Sequence, residues 1–112
     1  MNYTNWQYGG HISNWNVSQV TDMDQLFSNK TAFNEDISNW NVSKVTTMYA
    51  TFYNTTNFNQ SLNNWDVSSV TNMKEMFYAS NFNKDLDEWD VSSVTDMSYM
   101  FYEASKFNPS VV

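Results

Sequence analysis

The side chains that most often carry out chemistry in proteins are scarce in this sequence. Its one histidine is His11, and it has no cysteine. A zinc site needs several histidine, cysteine or carboxylate ligands, and a serine–histidine–aspartate triad needs a histidine beside its nucleophile. His11 aligns with the variable polar positions Asp36, Ser61 and Asp85, which is typical of a turn residue in solvent. The sequence therefore predicts a protein that is not an enzyme and binds no cofactor.

Carboxylates are the remaining candidate metal ligands, and they are denser in the second half of the chain. Asp85, Asp87, Glu88 and Asp90 lie close together in sequence, and Asp66 occupies the same repeat position as Asp90. Hard cations such as Ca²⁺ take oxygen ligands of this kind. Asp66, Asp85, Asp87 and Asp90 are therefore weak candidate ligands, and the favoured alternative is an acidic rim in solvent.

Polar side chains also flank four tryptophans at a constant spacing. If each tryptophan lies in a strand and faces the core, its neighbours on either side face solvent, because side chains alternate along a strand. These neighbours form a strip of amides and acids that we predict as the binding face. Its members are Asn14, Asn16, Asn39, Asn41, Asn64, Asp66, Glu88 and Asp90.

The elements that hold these residues are tandem repeats. Trp15, Trp40, Trp65 and Trp89 mark the repeat, and columns of valine, methionine and phenylalanine share their spacing. The period is about 25 residues, and a fixed period in this range is the signature of a repeat architecture. We predict one domain, 1–112, with an N-terminal cap or irregular start at 1–11. The repeats cover about 8–32, 33–57, 58–81 and 82–106, followed by a partial repeat at 107–112.

Two apolar patterns alternate within each repeat. Ile37-x-x-Trp40-x-Val42 resembles the strand segment of leucine-rich repeats, whereas Val45-x-x-Met48-x-x-x-Phe52 traces one face of a short helix. The predicted fold class is α/β, a leucine-rich-repeat-like solenoid of about four strand–turn–short-helix units plus a partial fifth, with parallel strands on its concave side. The pattern leaves open whether the helices are α or 3-10.

An asparagine follows a phenylalanine once in each repeat after the first, at Asn34, Asn59, Asn83 and Asn108. Amide side chains can hydrogen-bond to the backbone at turns. Stacked repeats would place these side chains in a ladder, and we predict that the ladder satisfies backbone groups at a turn.

The repeat motif Phe-Asn-x-Asp-Ile-Ser-x-Trp-Asn/Asp-Val-Ser-x-Val-Thr-x-Met-x-x-Met-Phe resembles that of the BspA-like leucine-rich-repeat surface proteins of bacteria. The resemblance covers about residues 8–111. It implies a large exported protein with a role in adhesion or host contact. The chain itself shows no signal peptide or anchoring cysteine, so under this resemblance it is a fragment that acts at the cell surface or outside the cell.

Charge and hydropathy exclude further classes of function. The formal net charge is −7, with five lysine and arginine residues. Nucleic acids and anionic membrane surfaces attract basic proteins, so neither is a predicted partner. No apolar run approaches the ~20 residues that span a bilayer.

Together these features predict a non-enzymatic module that binds protein or glycan within a bacterial adhesin-type surface protein. One alternative is a structural spacer or self-assembling stalk, in which the chain is a monomer or associates end to end. The other is a small cytosolic binder or inhibitor whose acidic surface contacts a basic partner.

Overall fold

Regular secondary structure is almost absent from the protein. The computed structural model describes residues 11–107, and within them the one helix is a 3-10 helix, Ile12–Asn14. Isolated parallel β-bridges join Asp22 to Thr47, Thr47 to Asn72, and Asn72 to Asp96. The rest of residues 11–107 consists of turns and irregular backbone. No helix within this range has the length or apolar character needed to cross a membrane.

The prediction of an α/β leucine-rich-repeat-like solenoid with parallel strands on a concave side is therefore wrong. The repeats do stack, but as coils of turns rather than as strand–helix units. We call residues 11–32 coil 1, residues 33–57 coil 2, residues 58–81 coil 3 and residues 82–106 coil 4. Backbone hydrogen bonds join successive coils. The predicted N-terminal cap and the partial repeat lie almost entirely outside the described residues.

The coils are joined mainly through the segments that were predicted as helices. In coil 1 the N–H groups of alternate residues from Met23 to Asn29 donate to carbonyls of coil 2. The same pattern joins coil 2 to coil 3 and coil 3 to coil 4, with N···O distances of 2.7–3.0 Å. The donors in coil 1 are Met23, Gln25, Phe27 and Asn29, and the acceptors in coil 2 are Thr47, Tyr49, Thr51 and Tyr53. We call this arrangement the turn ladder.

Two of the three N–H groups between these donors close tight backbone turns within coil 1, and the third, of Asp24, donates to Oδ1 of Asp22 at 2.8 Å. Leu26 donates to the carbonyl of Met23 at 3.3 Å, and Ser28 donates to that of Gln25 at 3.2 Å. These are bonds to the third preceding residue, whereas an α-helix bonds each N–H to the fourth preceding carbonyl. The segment whose apolar pattern also suits a helix is thus held by hydrogen bonds that alternate between turns within the coil and contacts to the next coil.

Left-handed backbone makes this alternation possible. Two residues in each coil have φ between 52° and 63°, and none of them is glycine. They are Gln25, Asn29, Ala50, Asn54, Glu75, Ala79, Tyr99 and Glu103. Because this conformation costs a non-glycine residue roughly 1–2 kcal/mol, the ladder and core contacts must stabilise it.

The spacing between coils explains why helices do not form. The rings of Phe27, Phe52, Phe77 and Phe101 stack with centroids 5.4 to 5.6 Å apart. This separation is close to the ~4.8 Å between hydrogen-bonded strands, whereas packed helices need about 8–10 Å. Coils held together directly by their backbones leave no room for a helix in each repeat.

The tryptophans complete the core and bind one coil to the next. The indole N–H groups of Trp40, Trp65 and Trp89 donate to backbone carbonyls of the preceding coil at 2.8–3.0 Å. Each of these side chains is at most 4% exposed. Within residues 11–107, every buried side-chain nitrogen and oxygen has a hydrogen-bond partner.

The fourth coil begins one position early without a break in the core. Phe82 follows Phe58 by one position fewer than Phe58 follows Phe33, yet each of these rings stacks on the one before it. The N–H of Phe58 donates to the carbonyl of Thr55 at 3.1 Å. The N–H of Phe82 donates instead to Oγ of Ser80 at 3.3 Å. Ser80 occupies the repeat position of Thr55, so its hydroxyl takes the place of the Thr55 carbonyl as the acceptor.

The left-handed positions distinguish a turn ladder from a helix experimentally. We expect Ala79→Gly to raise the free energy of unfolding by roughly 1 kcal/mol, because glycine adopts positive φ without steric cost. In a helix the same change would lower it by about 1 kcal/mol. Urea denaturation measures the difference. The control is Ala104→Gly, since Ala104 has no positive φ, and we expect it to be destabilising.

The indole hydrogen bonds give a second test of the coil stack. We expect Trp65→Phe to lower the free energy of unfolding by about 1–3 kcal/mol, because it removes the bond to the carbonyl of Ile37 and some packed volume. Trp65→Ala should cost more, about 3–5 kcal/mol. Urea denaturation of both variants is the measurement. Unchanged stability in either variant would contradict this core assignment.

Candidate binding surface

The predicted binding face is exposed, but it is not the face of a sheet. Every one of its residues lies at the surface: Asn14, Asn16, Asn39, Asn41, Asn64, Asp66, Glu88 and Asp90. Because residues 11–107 form bridges but no sheet, the predicted strand face is replaced by a row of turns. Exposure alone gives these residues no distinct chemistry.

Half of that face has a structural use. Asn16, Asn41, Asp66 and Asp90 each accept, through Oδ1, the N–H of the serine two residues later at 3.0 Å. We call these four residues the Asx column. A side chain that closes a turn in this way stabilises the local backbone. Substitutions in the Asx column would therefore alter folding as well as any binding.

The serine hydroxyl strengthens several of these turns. In Asp66 the carboxylate accepts both the hydroxyl of Ser68, at 2.6 Å, and its N–H. These bonds, the hydroxyl first, hold the pKa of Asp66 below its ordinary value. Bonds from the following serine lower the pKa of Asp36, Asp90 and Asp96 in the same way. The charged form of these carboxylates is thus part of the folded turn.

The candidate metal ligands do not assemble into a site. Within residues 11–107, no group of three or more histidine, cysteine, aspartate or glutamate side chains is placed to hold a metal ion. Asp66 and Asp90 belong to the Asx column, and Oδ1 of Asp87 accepts a bond from Asn63 at 2.9 Å. Asp85 lies exposed in the same coil as Asp87 and Asp90.

His11 also has a local structural role. Its Nδ1 accepts the N–H of Ser13 and so caps the 3-10 helix, while Nε2 lies 2.9 Å from Oε1 of Glu35. The two side chains are 42% and 28% exposed, and exposed pairs of this kind contribute about 0–1 kcal/mol. The Ser13 hydroxyl lies 2.8 Å from Nδ1 of the same ring. The arrangement links coil 1 to coil 2.

The predicted asparagine ladder is confirmed for its described members. Oδ1 of Asn34 accepts the N–H of Asn59 at 2.9 Å, and Oδ1 of Asn59 accepts that of Asn83 at 2.8 Å. Asn108 lies outside the described residues. The ladder satisfies backbone donors between coils, so it supports the stack and is not itself a site.

A concave polar region lies elsewhere, where coils 1, 2 and 3 meet beside the turn ladder. It encloses about 250 Å³. Its walls carry amide, hydroxyl, phenol and carboxylate groups, and we call it the polar groove. The lining residues are Gln25, Ser28, Asn29, Tyr49, Ala50, Tyr53 and Glu75.

The small side chain of Ala50 accounts for the groove. Gln25, Ala50 and Glu75 occupy the same left-handed position in three successive coils. The methyl group of Ala50 is much shorter than the side chains before and after it, so a space opens between Gln25 and Glu75. The coil backbone is unchanged there, because Ala50 N–H keeps its ladder bond to the carbonyl of Lys74 at 2.9 Å.

A row of tyrosines continues from the groove along the stack. The rings of Tyr53 and Tyr78 are 4.8 Å apart, and those of Tyr78 and Tyr102 are 5.3 Å apart. We call these three residues the tyrosine column. Partial loss of solvation, and then the negative charge of Glu103, raise the pKa of Tyr78. Both effects favour the neutral phenol, which can donate a hydrogen bond.

Sequence reasoning missed both features. The tyrosine column could have been predicted from the sequence, since Tyr53, Tyr78 and Tyr102 each directly follow a phenylalanine of the repeat. The polar groove could not have been predicted, because it depends on which residues share a left-handed position. No glycine marks those positions.

The lowered carboxylate pKa values predict acid sensitivity. A carboxyl group whose pKa is lower in the folded than in the unfolded chain stabilises the fold above the unfolded value, about 3.9 for aspartate. That stability is lost as the pH falls through the folded value. We expect Asp66→Asn to weaken this loss, because asparagine keeps the Oδ1 acceptor but does not titrate, as in Asn16 and Asn41.

The measurement is the free energy of unfolding in urea from about pH 6 to pH 2, a range that brackets the aspartate pKa. Asp85→Asn is the matched control, since Asp85 is exposed and has no serine two residues later. An identical pH slope for the parent and Asp66→Asn would contradict the role given to the charged carboxylate.

The comparisons with known proteins identify a family but not an activity. A family model described as "Mycoplasma protein of unknown function, DUF285" matches residues 1–112. No curated protein and no solved structure matches the chain. Because the match extends over the whole sequence given, the chain belongs to the DUF285 family.

Proposed function

We propose that the chain is a non-enzymatic module that binds a neutral, hydroxyl-rich glycan in the polar groove and along the tyrosine column. The observation that carries this proposal is the composition of the groove. The resemblance of the repeat motif to that of BspA-like proteins implies that such a module is part of a bacterial adhesin-type surface protein.

The groove offers the groups that recognise sugar hydroxyls. Gln25 supplies an amide donor and acceptor, and Asn29 supplies an amide donor, since its Oδ1 already accepts from Nδ2 of Asn54 at 3.0 Å. Ser28 and Tyr49 supply hydroxyls, and Glu75 supplies an acceptor. Hydroxyl groups on a sugar both donate and accept, so a mixed set of this kind can satisfy several of them at once. The aromatic edges of the tyrosine column add apolar contact next to the polar groups.

The size of the groove suits one unit of a chain molecule. Its volume of about 250 Å³ is smaller than the ~300–1,000 Å³ typical of sites that enclose a whole small molecule. The tyrosine column then extends the surface by one aromatic ring for each further coil. Since the coils repeat at about 5 Å, close to the spacing of paired strands, a polymer of similar units can contact several coils in succession.

Charge favours a neutral ligand. The chain carries a formal net charge of −7, and the groove is lined by Glu75 with no lysine or arginine. An anionic polysaccharide would be repelled over distances up to the Debye length, about 8 Å at physiological ionic strength. Neutral glucans, mannans or galactans meet no such barrier.

The test is titration of the full chain with soluble neutral glucan, mannan and galactan, monitored by calorimetry. We expect the double variant Gln25→Ala/Glu75→Ala to bind the recognised polymer about ten- to a hundredfold more weakly, because two hydrogen-bonding groups are removed. Its melting temperature should stay near that of the parent, since both side chains lie outside the core.

The matched control is Gln19→Ala/Glu88→Ala, which removes the same residue types from exposed positions outside the groove. It should bind like the parent. Equal loss in the two double variants would move the site away from the groove. Binding to none of the three polymers, or capture of a protein ligand alone, would overturn the glycan proposal.

A further inference from the structure

The two ends of the coil stack expose residues whose counterparts are buried inside it. Val20 in coil 1 is 36% exposed, whereas Val45 and Val70 at the same repeat position are fully buried. At the other end, Met97 in coil 4 is 41% exposed, whereas Met48 is fully buried. The end coils thus present the same apolar surface that joins coils within the chain.

The backbone groups at these ends have opposite polarity. In coils 1 to 3, four N–H groups donate to the following coil through the turn ladder. The equivalent groups in coil 4 have no acceptor within residues 11–107. They are the N–H groups of Met97, Tyr99, Phe101 and Glu103, and we call this surface the donor end.

Coil 1 presents the matching acceptors. The carbonyls that accept ladder bonds in coils 2 to 4 correspond in coil 1 to those of Asp22, Asp24, Leu26 and Ser28, which receive no hydrogen bond within residues 11–107. We call this surface the acceptor end. One backbone–backbone bond of each interface runs the other way, as in Thr46 N–H to the carbonyl of Thr21. Its counterparts across the ends are the N–H of Thr21 and the carbonyl of Thr95.

The acceptor end also contains an apolar groove of about 200 Å³. It is lined chiefly by Val17, Val20, Met23, Leu26 and Phe27. In coils 2 and 3 the valines and methionines at these repeat positions are covered by the preceding coil and are at most 1% exposed. A coil with the residues of coil 4 therefore matches both the backbone and the apolar surface of this groove.

We propose that the donor end of one copy binds the acceptor end of a second copy, which continues the turn ladder from coil 4 into coil 1. Met97, Tyr99, Phe101 and Glu103 donate to the carbonyls of the second copy, and Thr21 of that copy donates back to Thr95. The contact joins two different surfaces, so it is heterologous and leaves a free end on each side of the pair. Repetition gives a linear assembly.

Charge opposes this association. The ladder register places Asp96 of one copy over Asp22 of the next, and each chain has a net charge of −7. Salt screens such repulsion, since the Debye length falls from about 8 Å at 0.15 M to about 3 Å at 1 M. Association is therefore stronger at high salt, in contrast to binding driven by opposite charges.

The test uses two variants that each block one end. Leu26→Glu places a carboxylate in the acceptor end, and Met97→Glu places one in the donor end; Ser69→Glu adds the same charge at an exposed position away from both ends. Sedimentation velocity of the full chain over a range of concentrations at high salt measures the mass. Val20→Glu is a second acceptor-end variant in case Leu26→Glu does not fold.

We expect the parent and Ser69→Glu to form species larger than a dimer as the concentration rises. Each end-blocked variant alone should remain a monomer, and an equimolar mixture of the two should stop at a dimer, because one intact donor end and one intact acceptor end remain. A monomeric parent, a monomeric mixture, or a blocked variant that still dimerises with itself would overturn the proposal.

Discussion

Direct backbone contact between coils is the constraint on which this structure depends. It fixes the separation of successive repeats, as the phenylalanine ring spacings of 5.4 to 5.6 Å record. At that separation identical side chains must stack on one another, and the tryptophan N–H groups can reach the carbonyls of the preceding coil. The same spacing leaves no space for helices. The repeat sequence is therefore best understood as a set of equivalent positions whose side chains stack from one coil to the next.

Local polar contacts replace regular secondary structure in this protein. An isolated turn has few intrinsic bonds, so the backbone of each coil needs side-chain acceptors. Asparagine, aspartate and serine supply them through short-range bonds such as those of Asn41 and Asp66, each to the serine two residues later. Because these polar side chains hold the turns in place, a chain rich in asparagine, serine and threonine can still form a well-defined core. It also means that many polar surface residues are structural.

The sequence period identifies the side chains that share a core, but it does not determine where backbone N–H groups donate. The pattern of Val45, Met48 and Phe52 places three side chains inward in a helix and in a turn ladder alike. The left-handed positions that separate the two cases hold residues such as Ala50 and Glu75, without the glycine that would have indicated them. The polar groove was unpredictable for the same reason, whereas the tyrosines could have been found from their spacing.

The direction of the turn ladder determines how the stack responds to mechanical load. The bonds between coils run along the stacking axis, so tension applied along that axis acts directly on the interfaces between successive coils. Each released coil of about 25 residues adds roughly 80 Å of extended chain. A stack of this kind under tension would lengthen in discrete steps and dissipate work at each one.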